Sequence, residues 1–289
     1  MSGYAHPELL VTTDWVKENL GKSGIKLVEV DVDTKAYDAG HIQGSIGFNW
    51  QTQLQDQVSR DIISKEAFEQ LIGGAGISNN DTVVFYGDNN NWFAAYALWL
   101  FRIYGHREVR LMDGGRVKWL NESDKQLTTE ATKITPTRYT ASSPDLSLRA
   151  RIQDVLKAVE SHSHNLVDVR SPDEFTGKIL APPGLSETAQ RAGHIPGAKS
   201  VPWSTAVNPD GTFKSVDELK KIYLENAKVD GAHPTIAYCR VGERSSHTWF
   251  VLKYLLGLKD VRNYDGSWTE YGSMIGLPIE KLEQQPATV

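Results

Sequence analysis

Within six consecutive residues, Cys239-Arg240-Val241-Gly242-Glu243-Arg244, the chain places its only cysteine beside two arginines and a glutamate. The run follows a short apolar stretch, Thr235-Ile236-Ala237-Tyr238, and precedes Ser245-Ser246 at the start of a helical pattern. A strand, a tight turn and a helix in that order aim backbone N–H groups inward, and the helix N-terminus adds roughly half a positive charge. Sulfur at the turn's first position is therefore expected to favour the thiolate, with a lowered pKa, and to act as a nucleophile. Arg240 and Arg244 would add two fixed positive charges at the rim, suited to a dianionic substrate. Gly242 permits a positive φ, and Ser245 can cap the helix. A buried structural thiol would sit among apolar neighbours. Two arginines and Glu243 so close to Cys239 instead describe an exposed turn.

The elements that hold this turn occur twice. Gly40-His41-Ile42-Gln43-Gly44 is matched by Gly193-His194-Ile195-Pro196-Gly197. Tyr86, Gly105, Val109, Asp113 and Gly114 are matched at one constant spacing by Tyr238, Gly257, Val261, Asp265 and Gly266. Such register marks an internal duplication. Upstream, Leu27-Val28-Glu29-Val30 pairs with Leu166-Val167-Asp168-Val169, and the second copy is longer between these landmarks. Its extra residues fall in 177–191, where Ala181-Pro182-Pro183-Gly184 reads as a surface loop.

Each copy predicts a strand (Leu27 to Val30; Leu166 to Val169), the Gly-His-Ile-x-Gly turn and a polar helix (about Ser64 to Ile72; about Ser215 to Leu224). A second strand (Thr82 to Tyr86; Thr235 to Tyr238), a long apolar helix (about Trp92 to Tyr104; about Ser245 to Leu256) and a third short strand ending in Asp-Gly follow. Strands alternating with helices specify an α/β fold, a small parallel sheet with helices on both faces of each copy. The organisation expected is a first domain over 1–130, a linker rich in Thr, Ser and Pro over 131–147, and a second domain over 148–289. Function gathers at the carboxyl ends of such strands, and there the copies differ. The turn matching Cys239 is Gly87-Asp88-Asn89-Asn90-Asn91-Trp92, with no nucleophile and no cation.

Composition narrows the class. At 289 residues and 40% hydrophobic, the chain can fill two ordinary cores. The net charge of -5 has its lysines and arginines scattered, which argues against nucleic acid as a partner. The longest apolar stretch, Trp92 to Ile103, is interrupted by Arg102 and is too short to span a bilayer. With an N-terminus unlike a secretory signal, a cytoplasmic location and no membrane partner are expected. One cysteine excludes an internal disulfide and a cysteine-rich metal site, and no cofactor is expected.

The repeated Gly-His-Ile-x-Gly, the strand-cysteine-loop-helix turn in the second copy alone, and Asp265-Gly266-Ser267-Trp268 resemble the tandem-domain rhodanese family, from about Leu10 to Leu277. The resemblance implies a catalytically silent first domain and a second that accepts sulfane sulfur on Cys239. The family's branches use thiosulfate or 3-mercaptopyruvate, and arginine after the cysteine, here Arg240, is usual in the thiosulfate branch. Two positions depart from the animal thiosulfate enzymes. Val241 stands where they carry lysine, and Glu174 where they carry an anion-binding arginine. The loop looks more like a bacterial branch in which Arg244 restores the charge.

On this reading Cys239 is catalytic, and Arg240, Val241, Gly242, Glu243, Arg244 and Ser245 bind a small anionic donor, thiosulfate first and 3-mercaptopyruvate as the alternative. Asp168 would accept hydrogen bonds from the loop or from Arg240. Arg170 would support the loop or lie at the surface, and Trp50, Trp203 and Trp268 would wall off water. His41 and His194 share one motif in both copies, which favours a structural hydrogen bond over catalysis. The acceptor must be external, a small thiol, cyanide or a thioredoxin-like protein, because no second cysteine can resolve a persulfide. A cysteine phosphatase would need arginine where Ser245 stands.

Overall fold

The structure, a computed structural model, describes residues 3–122, 124–183 and 188–281. The chain forms two compact units. One holds the chain up to Leu146 together with Val207–Ser215, the other Ser147–Ala206 and the chain from Val216 onward.

In the first unit β1 (Leu10–Val11), β2 (Ile25–Glu29), β3 (Ile46–Gly47), β4 (Thr82–Tyr86) and β5 (Val109–Met112) form a parallel sheet in the order β1-β5-β4-β2-β3. In the second, β6 (Arg149–Ala150), β7 (Asn165–Asp168), β8 (Lys199–Ser200), β9 (Thr235–Tyr238) and β10 (Val261–Tyr264) repeat it as β6-β10-β9-β7-β8, also parallel. The three strands expected in each copy are the three central ones. The two outer strands of each sheet are two-residue pairings, too short to leave a periodic signal.

Central strands covered on both faces read as unbroken apolar runs. Val83, Val84 and Phe85 are fully buried in β4, as are Ile236, Ala237 and Tyr238 in β9. Thr12 and Ser64 cap the helices Thr13–Asn19 and Lys65–Gly74 by accepting Trp15 N–H and Ala67 N–H. Residues 131–146 lie along the first unit: Thr137 N–H donates to Gly73 O, Ser142 N–H to Tyr104 O, and the buried Tyr139 hydroxyl meets His106 Nδ1 at 2.9 Å. Of the loop 177–191, residues 184–187 lie outside the described residues.

The repeated motif proves to be a docking device. Ile42 N–H donates to the Tyr86 hydroxyl and Ile195 N–H to the Tyr238 hydroxyl, at 3.0 and 3.2 Å. His41 stacks on Tyr37 and His194 on Phe175, and their Nδ1 atoms meet the Tyr37 and Phe175 carbonyl oxygens. Both imidazoles thus hold backbone.

Candidate active site

Cys239 follows β9, the central strand of its sheet, at the carboxyl end that faces the loops. Its backbone is pinned from the end of β10. Cys239 N–H donates to Ser267 Oγ at 3.0 Å, and Trp268 N–H and Thr269 N–H return to the Cys239 and Arg240 carbonyls at 3.1 Å each. Gly242 turns the chain into the helix Glu243–Phe250 with φ 102, a left-handed conformation that suits glycine. Its carbonyl accepts Ser246 Oγ and Asn263 Nδ2, at 2.6 and 3.2 Å. Substituting Gly242 with alanine would bring a Cβ within 2.9 Å of Asp265 Cα. We expect G242A to lower thermal stability by about 1–3 kcal/mol, and a variant matching wild type in melting would refute this view of the turn.

The sulfur lies deeper than its sequence neighbours imply. Cys239 has no exposed surface, and Arg240, Glu243 and Arg244 are 7, 2 and 4% exposed. The expected exposed turn is a buried one, because the charges satisfy each other instead of water. Gly242 N–H donates to Sγ at 3.1 Å, and the thiol donates to Glu243 Oε2 at 3.3 Å. Val241 N–H also goes to Glu243 Oε2, at 3.3 Å, so this carboxylate takes one of the inward-facing donors. Ser245 Oγ lies 3.5 Å from Sγ and donates to Asn263 Oδ1 at 2.6 Å.

The direction of the thiol's titration is accordingly reversed from expectation. Burial first, and then the negative charge of Glu243, push the Cys239 thiol above its ordinary value, against the opposing pull of Arg244. A helix N-terminus favours the thiolate, yet burial, joined by a carboxylate at hydrogen-bond distance, outweighs it.

The arginines are also engaged. Arg244 makes a forked ion pair with the fully buried Glu174, at 2.9 and 3.2 Å, and its Nε lies 3.5 Å from Glu243 Oε1. Burial works to raise the Glu174 pKa, but the hydrogen bonds and charge of Arg244 bring it below the ordinary glutamate value. Arg240 Nη2 is 3.7 Å from Glu243 Oε1. Two guanidinium groups therefore stand against two carboxylates, and the expectation that Arg244 supplies a spare positive charge is corrected: Glu174, in the same buried cluster, already matches it.

Asp168 and Arg170 form their own pair. Arg170 Nη2 donates to Asp168 Oδ2 at 2.6 Å and to Gly193 O at 2.7 Å, and its guanidinium lies 4.5 Å from the Trp268 ring centroid. In the first unit Arg116 pairs with Glu29 and donates to Gly40 O at 2.6 Å. Gly40 and Gly193 are equivalent, as are Glu29 and Asp168. Each unit thus ties a buried carboxylate to the same glycine through an arginine supplied from a different place. Asp168 turns its carboxylate to Arg170, and Arg170, 1% exposed, does not lie at the surface.

The tryptophans separate. Trp268 packs in the core beside Tyr271, with Nε1 donating to Arg191 O. Trp203 meets His247 edge-on, and burial pushes that imidazole down to about 3. Trp50 belongs to the first unit, stacked on Phe93 at 4.0 Å.

Sequence reasoning did not single out Ser267 as a site residue, although it accepts the Cys239 N–H. It carries φ 52, while its counterpart Gly115 carries φ 55. Serine in a conformation that the other copy gives to glycine was the available signal. In the first unit the position of Cys239 is Gly87, where a Cβ would run into the Val30 carbonyl oxygen. Asn89, Asn90 and Asn91 follow with φ 44, 56 and 65, left-handed values that asparagine tolerates. No thiol fits that turn without backbone movement. Among the described residues no group of three or more His, Cys, Asp or Glu side chains could hold a metal ion, and no helix is long and apolar enough to cross a membrane.

Comparison with known proteins places this geometry in context. The rhodanese-like domain model matches the chain twice, over residues 12–122 and 151–274. A Saccharopolyspora erythraea protein named "Putative thiosulfate sulfurtransferase" is 57% identical over 281 residues, 97% of this chain and 99% of that one. The sulfur carrier protein TtuD of Thermus thermophilus is 52% identical over 286 residues, 98% of this chain and 100% of that one. The solved structure of SseA from Escherichia coli, one of the 3-mercaptopyruvate sulfotransferases, superposes with a TM-score of 0.78 at 25% identity, covering 90% of this chain and 98% of SseA.

Proposed function

The chain belongs to the rhodanese-like domain family, and from that premise we propose that it is a sulfurtransferase in which Cys239 carries sulfane sulfur as a persulfide from thiosulfate to an external acceptor. The observation that carries this reading is the lone thiol at the end of the central strand, with Gly242 N–H on its sulfur. In the first half-reaction the Cys239 thiolate attacks the outer sulfur of thiosulfate. A bond forms between the two sulfurs, the donor's S–S bond breaks, and sulfite leaves with the bonding pair. In the second, an acceptor takes the outer sulfur and Cys239 regains its electron pair. Ping-pong kinetics follow.

Because the chain has one cysteine, the acceptor comes from outside: cyanide, a small thiol or a thioredoxin-like protein. The sulfur carrier name of the Thermus relative supports a protein acceptor.

The charge balance favours weighing a second donor. Arg240 and Arg244 face Glu243, and Arg244 faces Glu174 as well, so no net positive charge awaits a dianion. A monoanionic donor such as 3-mercaptopyruvate would meet less repulsion, and the likeness to SseA points the same way. Thiocyanate formation from cyanide, measured with each donor, tests the assignment. Arg240 directly after Cys239 and the thiosulfate name of the Saccharopolyspora relative weigh more, so we expect the higher kcat/KM with thiosulfate, and a preference of about tenfold or more for 3-mercaptopyruvate would reverse it.

A further inference from the structure

We propose that Glu243 is the proton acceptor of the Cys239 thiol, so that the attacking thiolate is made by proton transfer within the buried loop and not by loss of a proton to water. This rests on the reading of Cys239 as the sulfur carrier and assigns the part played by the one acidic residue in its loop.

The geometry carries the assignment. Cys239 Sγ is fully buried, and Glu243 Oε2 lies within hydrogen-bond distance of it, at 3.3 Å. The same oxygen is steadied by Val241 N–H, and the other, Oε1, faces Arg244 Nε at 3.5 Å and Arg240 Nη2 at 3.7 Å. A carboxylate fixed by an amide and two guanidinium groups, with one oxygen turned to a thiol, meets the geometric requirement of a general base. The other groups packed around the pair offer no competing base. Glu174 is forked onto Arg244, and Asp265, behind Gly242, is held by Arg149 at 2.8 and 2.9 Å. Ser245 Oγ is a neutral hydroxyl committed to Asn263, Ser267 Oγ donates to Tyr264 O, and burial pushes His247 down to about 3, too low for its imidazole to keep a proton taken from a thiol. The thiol, held protonated by burial and by Glu243, needs an acceptor before it can attack.

The step balances. The proton passes from Sγ to Glu243 Oε2, leaving Cys239 thiolate and a neutral carboxylic acid. The thiolate bonds to the outer sulfur of thiosulfate, and the donor's S–S bond breaks with its electron pair on sulfite. The proton then returns from Glu243 to the outer sulfur of the new persulfide. The reactants and the thiolate–carboxylic acid form contain the same number of protons, so their ratio is independent of pH.

That independence is the test. Single-turnover formation of the Cys239 persulfide from thiosulfate, followed by intact-protein mass spectrometry, is measured from about pH 6 to about pH 8 in wild type and in Glu243→Gln. We expect wild type to vary by less than about twofold over that range and E243Q to climb about tenfold per pH unit, since its thiol can lose its proton only to water. A merely electrostatic or structural Glu243 gives another pattern: burial still holds the thiol up without it, so wild type and E243Q would both climb with pH, E243Q running at or above the wild-type rate throughout, and that overturns the proposal. Wild type alone also decides, because a rate climbing about tenfold per pH unit would exclude internal proton transfer however E243Q folds. If wild type gains no sulfur at any pH, the persulfide reading fails and the proton assignment falls with it; if it gains sulfur with the wrong profile, only the assignment fails.

Discussion

Replacing Cys239 with serine is expected to lower thiocyanate formation by at least about a thousandfold while leaving the fold intact. The hydroxyl is nearly isosteric with the thiol, and Gly242 N–H, which donates to Sγ at 3.1 Å, can donate to an oxygen as well. Serine's oxygen, however, neither ionises in reach of neutral pH nor forms a stable bond to transferred sulfur. The first copy offers no substitute, since its equivalent turn has Gly87 and no thiol. Steady-state turnover and the intact mass after thiosulfate treatment check the expectation together. A C239S enzyme that keeps more than about a tenth of the wild-type rate would remove sulfur transfer through this residue.

Arg244→Met should have the largest effect on stability, a loss of about 3–5 kcal/mol at neutral pH, because it leaves Glu174 charged, fully buried and without its cation. The pH dependence fixes the cause. In wild type the Glu174 pKa is lowered on folding, so its stabilising contribution is present above the ordinary glutamate value and is lost as pH falls through the lowered one. Without Arg244, burial outweighs what remains to favour the charge, the Ser171 N–H bond and the more distant Arg170, so the Glu174 pKa in the folded state rises and the sign inverts. The deficit of the variant then shrinks on acidification as Glu174 takes up a proton. Denaturant unfolding at neutral and mildly acidic pH measures both quantities. A deficit under about 1 kcal/mol, or one that is constant with pH, would mean the pair is exposed enough for water to replace the arginine. Glu174→Gln in the same background should recover part of the loss, since a neutral amide needs no counter-charge.

The duplication was legible because packing constraints leave a sequence record. Leu27 to Val30 and Leu166 to Val169 must be apolar wherever helices cover both faces of a parallel sheet, and Gly40 and Gly193, with φ 154 and 123, sit where side chains rarely fit. The helix that follows Cys239 was expected from about Ser245 to Leu256, and its helical turns run over Glu243–Phe250 and Val251–Leu255, but the burial of its start was harder to read. Glu243–Phe250 is polar through its first turns yet buried at every position, so hydropathy does not mark those turns as interior. Its Ser245, Ser246 and Arg244 are buried because Asn263 and Glu174 meet them from elsewhere in the chain.

What the sequence determined by itself was the pair of repeated units and the placing of a thiol in the turn of only the second, both consequences of residue type at fixed local spacing. The tertiary structure alone decided which charge meets which. Arg244 binds Glu174, 70 positions away in the chain, Arg170 turns to Asp168, and Glu243 turns to the sulfur. Ion pairing depends on distance in space and on the loss of water around each group, and neither is written in the order of residues.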